Sequence, residues 1–278
     1  MKLRLSSYKK LLLIVVMLLC VIPQSLMAQK IKPKNLMLYD DKPYHFGFII
    51  ALNSMSYAVD CKEGYQNNLY QFVEHTGISG KNPITINERV ADKIFDDDER
   101  MFYNRSVASV LNYGFTVGIV GNLRLGKYFD LRLIPSLSFG SRSLTYNYEI
   151  IKNKDFHNPI LAQSTTSVLT TIMEFPLHIK YKSKRYNNLA AYVICGGNPK
   201  LDFSLLWTND KKKAQNKVLD FAAEIGAGFD FYTHFFKFGI EAKFSFGLLD
   251  VLNKRNNQYD AAINSLRNRM FQLSFTFE

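Results

Sequence analysis

The chain reads as all-β: an eight-stranded antiparallel up-and-down transmembrane β-barrel. Three observations predict it. The stretch Asp220–Leu248 holds two runs in which every second residue is apolar or aromatic. Similar runs recur along the chain, and past the first 28 residues no segment is apolar enough for a membrane-spanning helix. The connections between runs alternate between tight and long.

The alternation carries the most weight. Phe221, Ala223, Ile225, Ala227, Phe229 and Phe231 form one series, against Asp220, Glu224, Asp230 and small residues. After a short break, Phe236, Phe238, Ile240, Ala242, Phe244 and Phe246 stand against Lys237, Gly239, Glu241, Lys243, Ser245 and Gly247. Period 2 means strand, because successive side chains of a strand point to opposite faces. About ten residues in a tilted strand cross a bilayer, and a charge facing lipid at mid-depth costs roughly 2–4 kcal/mol. The charged series therefore faces the barrel interior and the aromatic series faces lipid.

In chain order, residues 1–28 read as a signal peptide. Lys2, Arg4, Lys9 and Lys10 precede an apolar core from Leu11 to Ile22, and Pro23–Ala28 leads to a cut before Gln29. Its removal takes four positive charges and no acid from the formal +11, leaving +7. Residues 29–42 form a polar periplasmic lead-in, and the barrel domain occupies 43–278. The first strand is Tyr44–Asn53, with Tyr44, Phe46, Phe48, Ile50 and Leu52 outward. A polar stretch from Cys61 to about Ser106 follows as a loop. The second strand, Asn112–Leu125, turns at Gly126–Phe129 into a third that carries Leu131, Leu133, Leu137 and Phe139 on one face, with Pro135 marking a bulge. The fourth strand is about Thr166–Tyr181. The fifth, Leu189 to about Leu205, alternates poorly around Gly196, Gly197 and Pro199, which predicts a bulge. The opening hairpin supplies strands six and seven. The eighth ends the chain with Phe271, Leu273, Phe275 and Phe277 against Gln272, Ser274, Thr276 and Glu278.

Connections after strands two, four and six are tight; those after one, three, five and seven are longer and polar. A barrel with short periplasmic turns and long outer loops sorts its connections this way. Tyr128, Tyr181, Tyr186 and Tyr232 near the short turns fit one aromatic girdle. A barrel of eight strands is filled by its own side chains rather than open as a pore. The candidate site is therefore an interior charge network of structural kind: Glu174, His178, Lys180, Glu224, Asp230, Lys237, Glu241 and Lys243. Placing Phe231 opposite Phe236 sets Asp230 against Lys237 and Glu224 against Lys243.

Other chemistries are weaker. Gly121–Lys127 resembles a phosphate-binding loop, but Tyr128 stands where Ser or Thr would hold Mg²⁺ and a strand follows instead of a helix. His178 lies toward the periplasmic end, away from the outer rim where barrel hydrolases keep their acid–base groups. The acids Asp96–Glu99 lack the spacing of a dedicated Ca²⁺ loop. Lys211–Lys213 read as a solvated loop. Cys61 and Cys195 do not form a disulfide framework. The basic residues are scattered rather than stacked on one face, which argues against nucleic acid. No catalytic residue, metal site, cofactor or nucleotide is expected.

Four segments, HFGFIIALNSM at 45–55, GFTVGIVGNLRLGKYFDLRLIPSLSFG at 114–140, EFPLHIKYKSKR at 174–185 and LRNRMFQLSFTFE at 266–278, occur in an order that resembles the PorT family. These are outer-membrane barrels of Bacteroidota tied to type IX secretion and, in the SprT form, to gliding motility. The resemblance spans essentially the whole mature chain; the penultimate rather than final aromatic departs from general barrel habit. It implies a non-enzymatic secretion component or assembly factor, located in outer-membrane lipid and contacting other secretion-system membrane proteins. The alternatives are a generic small barrel that anchors the membrane, and an outer-membrane hydrolase.

Overall fold

The computed structural model describes residues 33–72, 83–84, 100–152, 159–207, 217–253 and 262–278. The proposed signal peptide, the acids Asp96–Glu99 and the lysines Lys211–Lys213 lie outside them. One sheet contains thirteen segments: β1 Tyr44–Cys61, β2 Leu69–Phe72, β3 Pro83–Ile84, β4 Arg100–Val110, β5 Asn112–Arg124, β6 Phe129–Leu133, β7 Ser136–Lys152, β8 Ile160–Glu174, β9 Leu177–Lys182, β10 Leu189–Asp202, β11 Leu219–Tyr232, β12 Lys237–Gly247 and β13 Ile263–Phe277. All pairings are antiparallel except the short one between β2 and β3. The ladder runs from β11 through β12, β13 and β1 round to β10, and β10 pairs back onto β11 over thirteen residue pairs. The sheet thus returns on itself, which removes the unpaired edges that hydrocarbon would penalise.

Eight strands were expected, and the segments are more numerous for a local reason. β4 and β5 are parted by Leu111 alone, β6 and β7 by Ile134 and Pro135, and β8 and β9 by Phe175 and Pro176. Proline has no N–H for the ladder. The backbone compensates sideways: Ile134 N–H donates to the carbonyl of Pro176, and Ile119 N–H to that of Pro135. The expected bulge at Gly196–Pro199 is absent, since β10 keeps one register with β11 throughout. The glycines there serve close approach instead. A Cβ on Gly196 would sit 2.0 Å from the Leu177 carbonyl oxygen, and one on Gly197 2.8 Å from the Phe221 ring.

Polarity is inverted relative to a water-soluble fold. On β11, Phe221, Ile225, Phe229 and Phe231 are exposed while Asp220, Glu224 and Asp230 are buried. Phe46 is 75% exposed on β1, and Leu169 77% exposed on β8. Tyr44, Tyr128, Tyr181 and Tyr186 face outward near the short-turn end. Tyr232 does not join that girdle: it points inward, 4% exposed, and donates its hydroxyl proton to Asp40.

The pattern then reverses along the same strands. Beyond Gly140, Arg142, Leu144, Tyr146, Tyr148 and Ile150 of β7 are buried, while Ser141, Thr145, Asn147 and Glu149 are half-exposed. Leu144, Tyr146, Tyr148 and Ile150 pack with Tyr57, Phe102, Ile263 and Leu266, and with Val251 and Leu252 from the chain after β12. Apolar inside and polar outside is the arrangement water selects. The strands therefore leave the membrane and continue as a water-facing collar. This explains the boundaries read too short from sequence. The lipid-facing alternation stops near Asn53, whereas β1 runs 18 residues to Cys61; the same alternation is missing from most of β4 and from the far half of β7, which therefore read as loop in the sequence. Cys61 ends β1 rather than lying in a loop, and neither it nor Cys195 is in a disulfide.

The lead-in closes the other end. Asn35 donates through its backbone N–H to Asn188 Oδ1 at 2.9 Å, and its side-chain amide donates to the Tyr232 carbonyl at 3.0 Å. The Tyr39 ring stacks on His45 at 4.0 Å, and its hydroxyl donates to Glu278. Burial holds that hydroxyl protonated well above its ordinary range, so it remains a donor.

An outward aromatic belt with a closed ladder predicts a simple fractionation result. The protein extracted from cells should sediment with outer membranes and migrate faster on gels before boiling than after. Recovery in the soluble periplasmic fraction contradicts the barrel.

Candidate functional site

The eight interior residues all lie on the inward series of β8, β9, β11 and β12, and each is buried to 3% exposure or less. Period 2 dictates this placement once the aromatic series faces lipid. Glu224 is their hub. Its Oε2 receives His178 Nε2 at 2.8 Å and Lys243 Nζ at 2.8 Å. Its Oε1 accepts from Asn198 Nδ2 at 2.7 Å and lies 3.8 Å from Lys200 Nζ. Asn198 also donates to Glu174 Oε2 at 2.7 Å, and its Oδ1 accepts from the Phe175 backbone N–H where β8 breaks. Lys200 reaches Ser245 Oγ at 2.8 Å.

A second knot lies nearer the short turns. Lys180 Nζ donates to Asp230 Oδ2 at 2.7 Å and stands 3.6 Å above the Tyr192 ring. Tyr192 donates to Glu241 Oε2 at 3.0 Å, and Arg132 Nη1 donates to the same oxygen at 2.6 Å. Lys237 Nζ donates to Glu278 Oε2 at 2.6 Å, while Arg132 Nη2 lies 3.5 Å from Glu278 Oε1. Room for these reaches comes from inward glycines. A Cβ on Gly228 would meet the Tyr192 ring and hydroxyl at 2.6 Å, in the space directly across from Glu241.

Five acids (Glu174, Glu224, Asp230, Glu241, Glu278) thus face five bases (Arg132, Lys180, Lys200, Lys237, Lys243), with His178 between. Buried charges persist only when paired and hydrogen-bonded, and here each is. The arrangement fills this part of the lumen with paired charge. His178 lies among Glu224, Arg132 across β6 and Gly196 across β10. Among the described residues no group of three or more His, Cys, Asp or Glu could hold a metal ion. Gly121–Lys127 ends β5 and forms its turn, and the strand β6 follows.

The expected hairpin register is corrected. Tyr232 pairs with Lys237 and Phe231 with Phe238, so the four-residue loop is Thr233–Phe236. Thr233 Oγ1 caps this loop, accepting from the Phe236 N–H at 3.1 Å. Two residues of slip keep every face but change every partner. Asp230 faces Gly239 and bonds Lys180; Glu224 faces Ser245. Glu224 still meets Lys243, diagonally, because both chains are long and Gly226 opposite Lys243 leaves space.

Sequence reasoning missed Arg132, Tyr192, Asn198, Lys200 and Glu278. The signal was present: Tyr192, Asn198 and Lys200 share one parity on β10, Arg132 shares it with Asp130 on β6, and Glu278 continues the series Gln272, Ser274, Thr276.

Closed pairing, an outward aromatic belt and a packed ionic interior define an integral outer-membrane barrel. Residues 46–253 match a family model described as outer membrane protein beta-barrel domain, and the chain belongs to that family. No curated protein matches it. Among solved structures, a Pseudomonas aeruginosa FadL homologue is similar at 10% identity, covering 84% of this chain and 89% of that one, with a TM-score of 0.19, too low to carry any argument.

The hub predicts strong coupling. Lys243→Met leaves Glu224 short of a cation and should cost about 3–5 kcal/mol. Adding Glu224→Gln should recover about 0.5–3 kcal/mol of that loss. A double-mutant cycle on unfolding in detergent checks this; strict additivity contradicts the contact.

Proposed function

We propose that this protein is a non-enzymatic component or assembly factor of the type IX secretion system, resembling the PorT family, exported by the signal peptide at 1–28. The observation that carries the non-pore, non-enzyme part is the filled lumen. An ionic layer below and an apolar layer above leave the rims and outer wall as the working surfaces. The secretion part rests on the four segments whose order resembles that family. Partners are then outer-membrane lipid and other membrane proteins of the secretion machinery, with no nucleotide, nucleic acid or cofactor.

In this reading the thirteen segments make eight membrane-crossing staves. β4–β5, β6–β7 and β8–β9 each continue in one direction across their short breaks, and β2 and β3 belong to the long connection after β1. Both termini and the turns at 125–128, 183–188 and 233–236 lie on the periplasmic side, and the collar stands outside the cell. A membrane-anchoring barrel without a secretion role is the second reading, favoured by the match to a general barrel family.

Two experiments decide. Deleting the gene in its host should abolish export of type IX cargo while the envelope stays intact; normal export leaves the anchoring reading. A protease-cleavable tag in the connection after Cys61 should be cut on whole cells, and one in the Ser183–Asn187 turn should not. The reverse pattern inverts the barrel.

A further inference from the structure

The outer wall carries one groove whose lining does not match the rest of the belt. β12 ends at Gly247, one residue past its last pair with β13, Phe246 with Arg269, and the chain then dives inward. Val251 and Leu252 are 1% and 3% exposed inside the collar, and Val251 N–H bonds the Leu266 carbonyl. β13 has no strand beside it on that side before Arg269, so its outward side chains there lose their cover. The result is an open groove of about 430 Å³ between the end of β12 and the far part of β13 and β1.

Its floor is mixed by design of the strand parity. Phe246 and Leu248 line one side, each about half exposed. Arg267 and Arg269, two positions apart on the outward series of β13, line the other. Among the described residues neither guanidinium has a side-chain hydrogen bond or ion pair. The buried bases Arg132, Lys180, Lys200, Lys237 and Lys243 each have an acidic partner, so two free arginines side by side on the wall stand apart. Asp60, also on the lining, accepts from Asn264 Nδ2 at 2.8 Å and Ser265 Oγ at 3.4 Å rather than from either arginine.

Height on the barrel identifies the occupant. Phe271 and Phe244, one step toward the membrane from Arg269 and Phe246, meet as tilted rings with centroids 4.8 Å apart, part of the aromatic belt. One step the other way Leu248 is still apolar, while Arg267, Ser265 and Asp60 make the β13 and β1 side polar. The arginines therefore sit where the hydrocarbon ends and headgroups begin. We infer that this groove binds the phosphate of a membrane lipid, with Arg267 and Arg269 holding the phosphate oxygens and an acyl chain lying over Phe246 and the Phe244–Phe271 pair. Guanidinium suits this task, because its planar fork meets phosphate oxygens two at a time. A soluble anion would gain nothing from the aromatic side of the groove; a lipid uses both. That the leaflet is the outer one rests on the topology proposed above, whereas the site itself does not.

The test uses the purified full chain in non-ionic detergent, titrated with dioleoyl phosphatidate and followed by native mass spectrometry. The wild-type protein should retain phosphatidate, and the R267Q/R269Q variant should bind it at least about tenfold more weakly, since the charge-assisted bonds to the phosphate are lost. Dioleoylglycerol, which lacks the phosphate, should not be retained by either. Heat-modifiable migration of the variant verifies that it still folds, and binding in detergent is read whatever the orientation or the secretion role. Equal retention by wild type and variant, or retention of dioleoylglycerol as well as phosphatidate, overturns the site. Displacement of phosphatidate by millimolar inorganic phosphate overturns the lipid and leaves a free-phosphate site. If R267Q/R269Q fails to fold, the single R267K, which keeps the charge but not the fork, must bind more weakly than wild type or the inference falls.

Discussion

Glu224 makes the contact on which the interior depends. One carboxylate, fully removed from water, takes Lys243, His178 and Asn198 at 2.7–2.8 Å and stands near Lys200. Those partners come from β12, β9 and β10, so a single side chain ties three segments to β11 across the lumen. The desolvation cost of such a charge is several kcal/mol, and only complete pairing offsets it. This is why bases stand beside the buried glutamates, and why glycines recur on the inward series: long side chains need the volume that glycine yields.

The network in turn requires a closed sheet. If β10 and β11 parted, Glu224 would face hydrocarbon or water without the partners that β9 and β10 supply. Ladder closure and charge pairing thus support one another, and both are needed for strands whose outer face is almost wholly apolar. At the short-turn end, Arg185 stands 3.8 Å over the Tyr232 ring and the lead-in covers the lumen. At the other end, Arg142 and Asp202, 3.6 Å apart, mark where the ionic interior gives way to the apolar one.

Much of this was legible in the sequence, and the misses share a cause. Parity placed Phe46, Phe229 and Leu169 on lipid and the eight interior charges inside, because hydrocarbon imposes one rule on every strand that crosses it. The rule lapses where the strands enter water. There Tyr146 and Tyr148 turn inward and Thr145 and Asn147 outward, so the far ends of β1 and β7, and most of β4, read as loop although they are strand. Partner identity was not legible either. A slip of two residues preserves faces, so the hairpin fits either register until the Thr233 loop fixes one. Arg132 and Lys200 were passed over because prolines interrupt or blur the alternation beside them, and Tyr232 because an inward tyrosine and a girdle tyrosine look alike along the chain.

The central claim is that the barrel interior is a packed solid, ionic through the membrane and apolar above it, so that whatever the protein does it does on its rims and wall. Ion conductance tests this most directly. Purified protein inserted into planar lipid bilayers in molar KCl should give no stepwise current above that of the bare membrane at moderate voltage. Steady, reproducible open-channel steps from the wild-type protein would contradict the account, because buried, paired side chains fill the described lumen.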